Sequence, residues 1–97
     1  MDKNKNKLED AIRIEIFKAL SDEVRLQIIR ILKNKGGEMS CGEIGEYIDI
    51  PKSTASYHFK ILRTAGLTST RKESLNKFVS LRYDTFSKYL PEFLETL

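Results

Sequence analysis

Residues 51–67 read PKSTASYHFKILRTAGL. A helix advances about 100° per residue, and on that period Ala55, Phe59, Leu62 and Gly66 fall on one side. Ser53, Ser56, Tyr57, Lys60 and Thr64 fall within a facing arc of about 100°. One face is suited to a core. The other carries short hydroxyls, a phenol and a lysine, and the stretch contains no carboxylate. Solvated helices usually mix charges of both signs. Hydrogen-bonding groups near a helix start, with only positive charge beside them, suit the major groove of DNA. The plainer reading is a surface helix that happens to lack acids, and the stretch alone leaves both open.

Its flanks narrow the choice. Upstream, Ser40 and Glu43 spell S-x-x-E, a capping box that starts a helix after Ser40. Cys41, Ile44 and Ile48 share one face of that helix. Asp49 and Ile50 make a turn, and Pro51 opens the next helix, where proline is tolerated in the first turn. Two helices joined so tightly form a helix-turn-helix, with residues 51–66 as its second helix. Downstream, Gly66 is the natural left-handed stop. Residues 67–72 and 77–83 are β-rich. In the second run Phe78, Ser80 and Arg82 alternate with Val79, Leu81 and Tyr83. Residues 73–76 supply the turn, with Asn76 suited to a positive φ. The hairpin carries Arg71, Lys72 and Lys77 near its tip. It reads as a wing that meets phosphates or the minor groove, or else as a solvated tip.

The rest of the chain supplies helices. Residues 1–7, MDKNKNK, read as a frayed polar tail. Over residues 8–20, Leu8, Ile12, Ile16, Ala19 and Leu20 form one stripe, while Ile14 and Phe17 lie outside it and Ala11 further round. A short helix apolar on two sides buries both, against a partner chain or under its own C-terminus. Ser21 reads as the cap of the next helix, with Asp22 and Glu23 in its first turn. Val24, Ile28, Ile31 and Leu32 make its core face, Leu26 and Ile29 broaden it, and Gly36-Gly37 ends it. Glu38 and Met39 form a short extended link. Over residues 85–97, Phe86, Tyr89, Leu90, Phe93, Leu94 and Leu97 keep helical spacing after a cap at Asp84 or Thr85. Pro91 predicts a kink or break near Leu90. The expected architecture is mainly α with a β-hairpin, in the order α-α-α-α-β-β-α, one domain over residues 1–97.

Charge agrees with a nucleic-acid partner. Residues 52–82 hold seven basic side chains and one acid, Glu73, while the remainder holds ten basic and thirteen acidic. That asymmetry is the footprint of a nucleic-acid binder, or a chance cluster on a solvated face. One cysteine excludes an internal disulfide framework. No nucleophile–base set, carboxylate pair or glycine-rich phosphate loop points to an enzyme, a metal or a cofactor. No apolar run approaches the ~20 residues of a membrane span. With no signal peptide recognisable at the start, the expected location is cytoplasmic.

The words ALSDEVRLQIIRIL (residues 19–32), STASYHFKILRTAGL (residues 53–67) and SLRYD (residues 80–84) together resemble the ArsR family of winged-helix repressors. The likeness covers about residues 12–90. It implies a homodimer built from residues 8–20 and 85–97, with Ile12, Ile16, Phe17, Phe86, Leu90, Phe93, Leu94 and Leu97 at the interface. It also implies that residues 52–60 enter the major groove of double-stranded DNA with the hairpin alongside, each subunit reading one half of an imperfect palindrome. Ser53, Ser56 and Tyr57 are then the candidates for base edges. Lys52, Thr54 and Lys60 are candidates for phosphates, joined by Arg71, Lys72 and Lys77 of the wing. His58 lies about 60° from the apolar centre and reads as a packing or phosphate residue. Many relatives in this family sense metals through a Cys-x-Cys pair on the third helix. Here GEMSCGEI puts Ser40 and Gly42 at those positions, with Cys41 between them. A second family site uses Asp and His on the last helix, which here offers Asp84, Glu92 and Glu95 but no His. Metal sensing is not supported, Cys41 reads as a structural thiol on the core face, and no effector is identified. The expected function is a dimeric transcriptional regulator that represses. The alternative is a winged-helix protein–protein interaction module without specific DNA binding.

Overall fold

A computed structural model describes residues 3–97 and places helix α1 at Lys3–Leu20, α2 at Glu23–Lys35, strand β1 at Met39–Ser40 and α3 at Cys41–Ile48. Helix α4 follows at Lys52–Thr64, strands β2 at Thr68–Glu73 and β3 at Asn76–Leu81, α5 at Tyr83–Tyr89, and a final 3-10 turn at Leu94–Thr96. Residues 3–7, expected as a tail, are the first turns of α1, because nothing in that lysine- and asparagine-rich run breaks a helix. Met1 and Asp2 lie outside the described residues.

The punctuation works as side-chain chemistry dictates, with local corrections. Asp22, not Ser21, caps α2: its carboxylate accepts from the Arg25 N–H at 3.0 Å. A charged acceptor is favoured at the positive end of a helix. Ser21 instead donates its hydroxyl to the Lys18 carbonyl at 2.9 Å and closes α1. Gly36 ends α2 at φ 75°. At the capping box, Ser40 Oγ accepts from the Glu43 N–H at 3.1 Å and lies 3.2 Å from Glu43 Oε1. Gly66, at φ 79°, lets the Leu67 N–H return to the Leu62 carbonyl at 3.1 Å and ends α4.

The link at Glu38–Met39 is more than a link. Met39 and Ser40 pair antiparallel with Val79 and Phe78, adding a third strand in the order β1-β3-β2. The pairing buries Met39 beside Val79. In the hairpin, Glu73 pairs with Asn76, leaving Ser74-Leu75 as a two-residue turn. The positive φ falls on Ser74, at 55°, not on Asn76, which is held in the strand by that pairing. At the C-terminus Tyr83–Tyr89 is helical and the helix stops at Leu90, before Pro91. The expected helix over residues 85–97 is therefore two pieces. Its start is at Tyr83, without a side-chain cap from Asp84 or Thr85.

The core gathers Ile16 of α1, Ile28, Ile29 and Leu32 of α2, Ile44 of α3, Leu62 of α4, and Leu67 and Val79 around the sheet. Two expected interface residues belong to it. Ile16 is 0% and Phe86 2% exposed, so neither has surface left for a partner. Ile12, Ile14 and Phe17 remain exposed on α1. The C-terminal segment does return to α1, with the Arg13 guanidinium 5.6 Å above the Tyr89 ring and Phe93 stacked on Phe86.

One buried side-chain polar group lacks a partner among the described residues: the Thr68 hydroxyl, at the start of β2. An unmet buried hydroxyl costs about 1–3 kcal/mol. Thr68→Val should therefore raise the melting temperature by several degrees, about 4–8 °C per kcal/mol for a domain of this size. An unchanged or lower midpoint in a thermal scan would refute it.

Candidate nucleic-acid interface

Helix α4 divides as its period requires. Ala55, His58, Phe59 and Leu62 are buried. Lys52, Ser53, Thr54, Ser56, Tyr57 and Lys60 are all exposed, so the six helix candidates stand together on the solvent side. Tyr57 is 61% exposed, a large surface for an aromatic ring with a core available to it. Pro51 stands at the N-cap with no side-chain hydrogen bond to the first turn, and that turn holds no acid. The helix start thus carries the positive end of its dipole with first-turn N–H groups that no capping side chain fills.

On the wing, Lys72 and Lys77 face each other across the strand pair and are exposed. Arg71 is differently employed. It bonds Glu38 at 2.6 and 3.2 Å and Glu73 at 2.6 Å, and lies 4.7 Å above the Phe78 ring. Two carboxylates answer its one charge, so of the three wing cations it presents the least free charge. The hydrogen bond from Arg71 also holds the Glu38 carboxyl below the usual range. A lowered value in the fold means that the bridge is intact above it and lost as the pH falls through it. Glu38→Gln combined with Glu73→Gln should release Arg71 toward solvent. Binding to any DNA should tighten a few-fold and the salt slope should steepen by up to about 0.9 per subunit, read by fluorescence anisotropy over a salt series. A slope equal to wild type would mean that Arg71 never reaches a phosphate.

His58 packs inward from α4. Its ring is buried and its Nδ1 lies 3.0 Å from Nη1 of Arg25. Arg25 was not singled out by the sequence, although a signal existed. It sits in the first turn of α2, where a cation opposes the helix dipole and so needs another reason to be there. Glu38 was missed because its partner is 33 residues away.

Cys41 is partly buried against the core, and that burial pushes its thiol up. Among the described residues, no three His, Cys, Asp or Glu side chains are grouped to hold a metal ion. Of the last-helix acids, Asp84 is paired with Arg82 at 3.0 Å. Nor is any described helix long and apolar enough to cross a membrane.

Comparison with known proteins matches the shape and the words. Residues 20–71 match the helix-turn-helix domain family. An uncharacterized HTH-type transcriptional regulator of Bacillus subtilis, YceK, is 67% identical over 89 residues, 92% of this chain and 89% of that protein. The arsenical resistance operon repressor of the same organism is 32% identical over 76 residues, 78% of this chain and 71% of the repressor. Among solved structures, HlyU from Vibrio cholerae superposes with a TM-score of 0.75 at 32% identity, over 99% of this chain and 92% of that chain.

Proposed function

The chain belongs to the ArsR-type helix-turn-helix family of DNA-binding transcriptional regulators, and from that premise we propose that it works as a homodimeric repressor on an imperfect palindrome. The observation that carries this reading is the acid-free exposed face of α4, with Ser53, Ser56, Tyr57 and Lys60 turned away from a buried Ala55, Phe59 and Leu62. Ser53, Ser56 and Tyr57 read base edges. Lys52, Thr54 and Lys60 take phosphates with the uncapped start of α4, and Lys72 and Lys77 extend the track along the wing. Arg71 joins them only when Glu38 and Glu73 let it go.

The dimer forms through the exposed apolar residues of α1, Ile12, Ile14 and Phe17, continued by the half-buried Leu90, Phe93, Leu94 and Leu97 at the C-terminus. Two recognition helices related by a two-fold axis meet half-sites about 34 Å apart. A dimer seated there represses by occupying promoter DNA. Relatives are named both as repressor and as activator, so repression rests on this steric argument alone. Nothing in the mechanism calls for catalysis.

Selection of bound duplexes from a random pool with the full chain tests the reading. The expected result is a motif with two inverted half-sites one turn apart. Enrichment of a single unrepeated half-site would remove the dimer. No enrichment at all would favour a protein–protein interaction module.

A further inference from the structure

The half-buried side chain of Arg25 is engaged by three groups of the protein itself. Its Nε donates to the Ala19 carbonyl at 2.6 Å, its Nη2 lies 3.4 Å from the Lys18 carbonyl, and its Nη1 reaches His58 Nδ1 at 3.0 Å. The two carbonyls belong to the last turn of α1, where carbonyls lack helical partners and the dipole is negative. A guanidinium fits both demands. It has five N–H donors and no acceptor. In this hydrogen bond His58 Nδ1 is therefore the acceptor, which puts the ring proton on Nε2. Asp22 Oδ2 lies 3.7 Å from the same Nδ1, but it is already used to cap α2 through the Arg25 N–H.

The chain of contacts continues outward. The Tyr57 ring stands edge-on to the His58 ring, with centroids 5.3 Å apart at 66°. Tyr57 is the most solvent-projecting ring on the recognition helix. One guanidinium thus connects the end of α1, the start of α2 and the inner side of α4, and the clamped imidazole sets the ring beside it.

We propose that Arg25 and His58 are positioning residues that fix the rotation of α4, and with it the direction of Tyr57, against the end of α1. This rests on the DNA reading of α4 and deepens it. Neither residue touches DNA, so their removal should act on base discrimination and leave phosphate binding alone. It also ties the helix that carries the proposed dimer surface directly to the helix that reads DNA.

The test uses the full chain and two probes: a duplex carrying the motif enriched from the random pool, and a scrambled duplex of equal length. His58→Leu keeps an apolar side chain of similar bulk without the acceptor, and Arg25→Met removes the donors. Both should lower the ratio of motif to scrambled affinity at least tenfold, while scrambled affinity and its salt slope stay at wild-type values. His58→Asn places an oxygen acceptor near the position of Nδ1 and should restore the ratio to within about threefold, a rescue that a purely structural role does not predict. If His58→Leu keeps the wild-type ratio, the positioning role is overturned. It is equally overturned if Asn behaves like Leu. Should either variant lose its cooperative melt, the wild-type ring decides. A long-range proton–nitrogen spectrum should show Nδ1 unprotonated and Nε2 protonated, and the opposite tautomer would overturn the link. If the wild-type chain enriches no motif, the DNA reading itself fails. If it enriches one and the variants keep their discrimination, only the positioning role fails.

Discussion

Ile16→Asp should abolish the cooperative melt of this chain, whereas Phe17→Asp, one residue along the same helix, should keep the melt and remove the dimer. Ile16 is 0% exposed in the core and Phe17 is 54% exposed. At Ile16 the substitution forfeits about 1.5–3 kcal/mol of apolar burial and adds several kcal/mol for a carboxyl without a partner. A domain of this size holds roughly 5–15 kcal/mol in total, so the loss consumes most of it. At Phe17 the carboxylate stays in water in the separate chain and is buried only when a second chain approaches. Circular dichroism should therefore be unchanged, and light scattering should report half the wild-type mass. Binding to the palindrome should fall 100-fold or more, because two linked contacts become two independent ones. A Phe17→Asp chain that stays dimeric at low micromolar concentration would strike this residue from the interface. A normal melt for Ile16→Asp would contradict its burial.

That contrast marks what the sequence carries and what it does not. Local, periodic features were legible. The two faces of α4 follow from the positions of Ala55, Phe59 and Leu62, the stops from Gly36 and Gly66, and the break at Leu90 from Pro91. Ile12 and Ile16 are the same residue on the same stripe, and no period separates them. What separates them is reach: α1 runs past the core that α2 and α4 provide, so Ile16 is covered and Ile12 is not. Strand β1 is two residues long, too short for alternation to register, and exists only because Val79 and Phe78 pair with it. Ser21 and Asp22 were both competent caps, and a one-residue choice between neighbours is settled by backbone direction. The contacts of Arg25 with His58 and of Arg71 with Glu38 each join residues 33 apart on different elements. Such pairs leave no trace in spacing. The outward face of the candidate site was thus legible in the sequence, while the groups that hold that face in place became visible only in three dimensions.

Within that face, Tyr57→Ala and Lys60→Ala should fail in different ways, and the difference tests how the helix reads DNA. Both side chains are exposed on α4. The Lys60 ammonium is a compact point charge, suited to a phosphate whatever the base. Its loss from both subunits should weaken motif and scrambled duplexes by the same factor and flatten the plot of log affinity against log salt by about 1.8, two phosphate contacts' worth. The Tyr57 phenol carries no charge, so its removal releases no counterions and the slope should hold. A well-made base contact discriminates by about 1–3 kcal/mol, which is roughly ten- to hundredfold between right and wrong base. Tyr57→Ala removes one such contact from each subunit, so it should lose motif affinity by that factor at each half-site, leave scrambled affinity near wild type, and enrich a pool that is degenerate at one symmetric pair of positions. Anisotropy titrations at four or five salt concentrations, with both probes, separate the two behaviours. If both variants scale every duplex equally, Tyr57 is not a base reader. Discrimination would then have to come from Ser53 and Ser56, whose short hydroxyls demand a closer approach of the helix start to the groove floor.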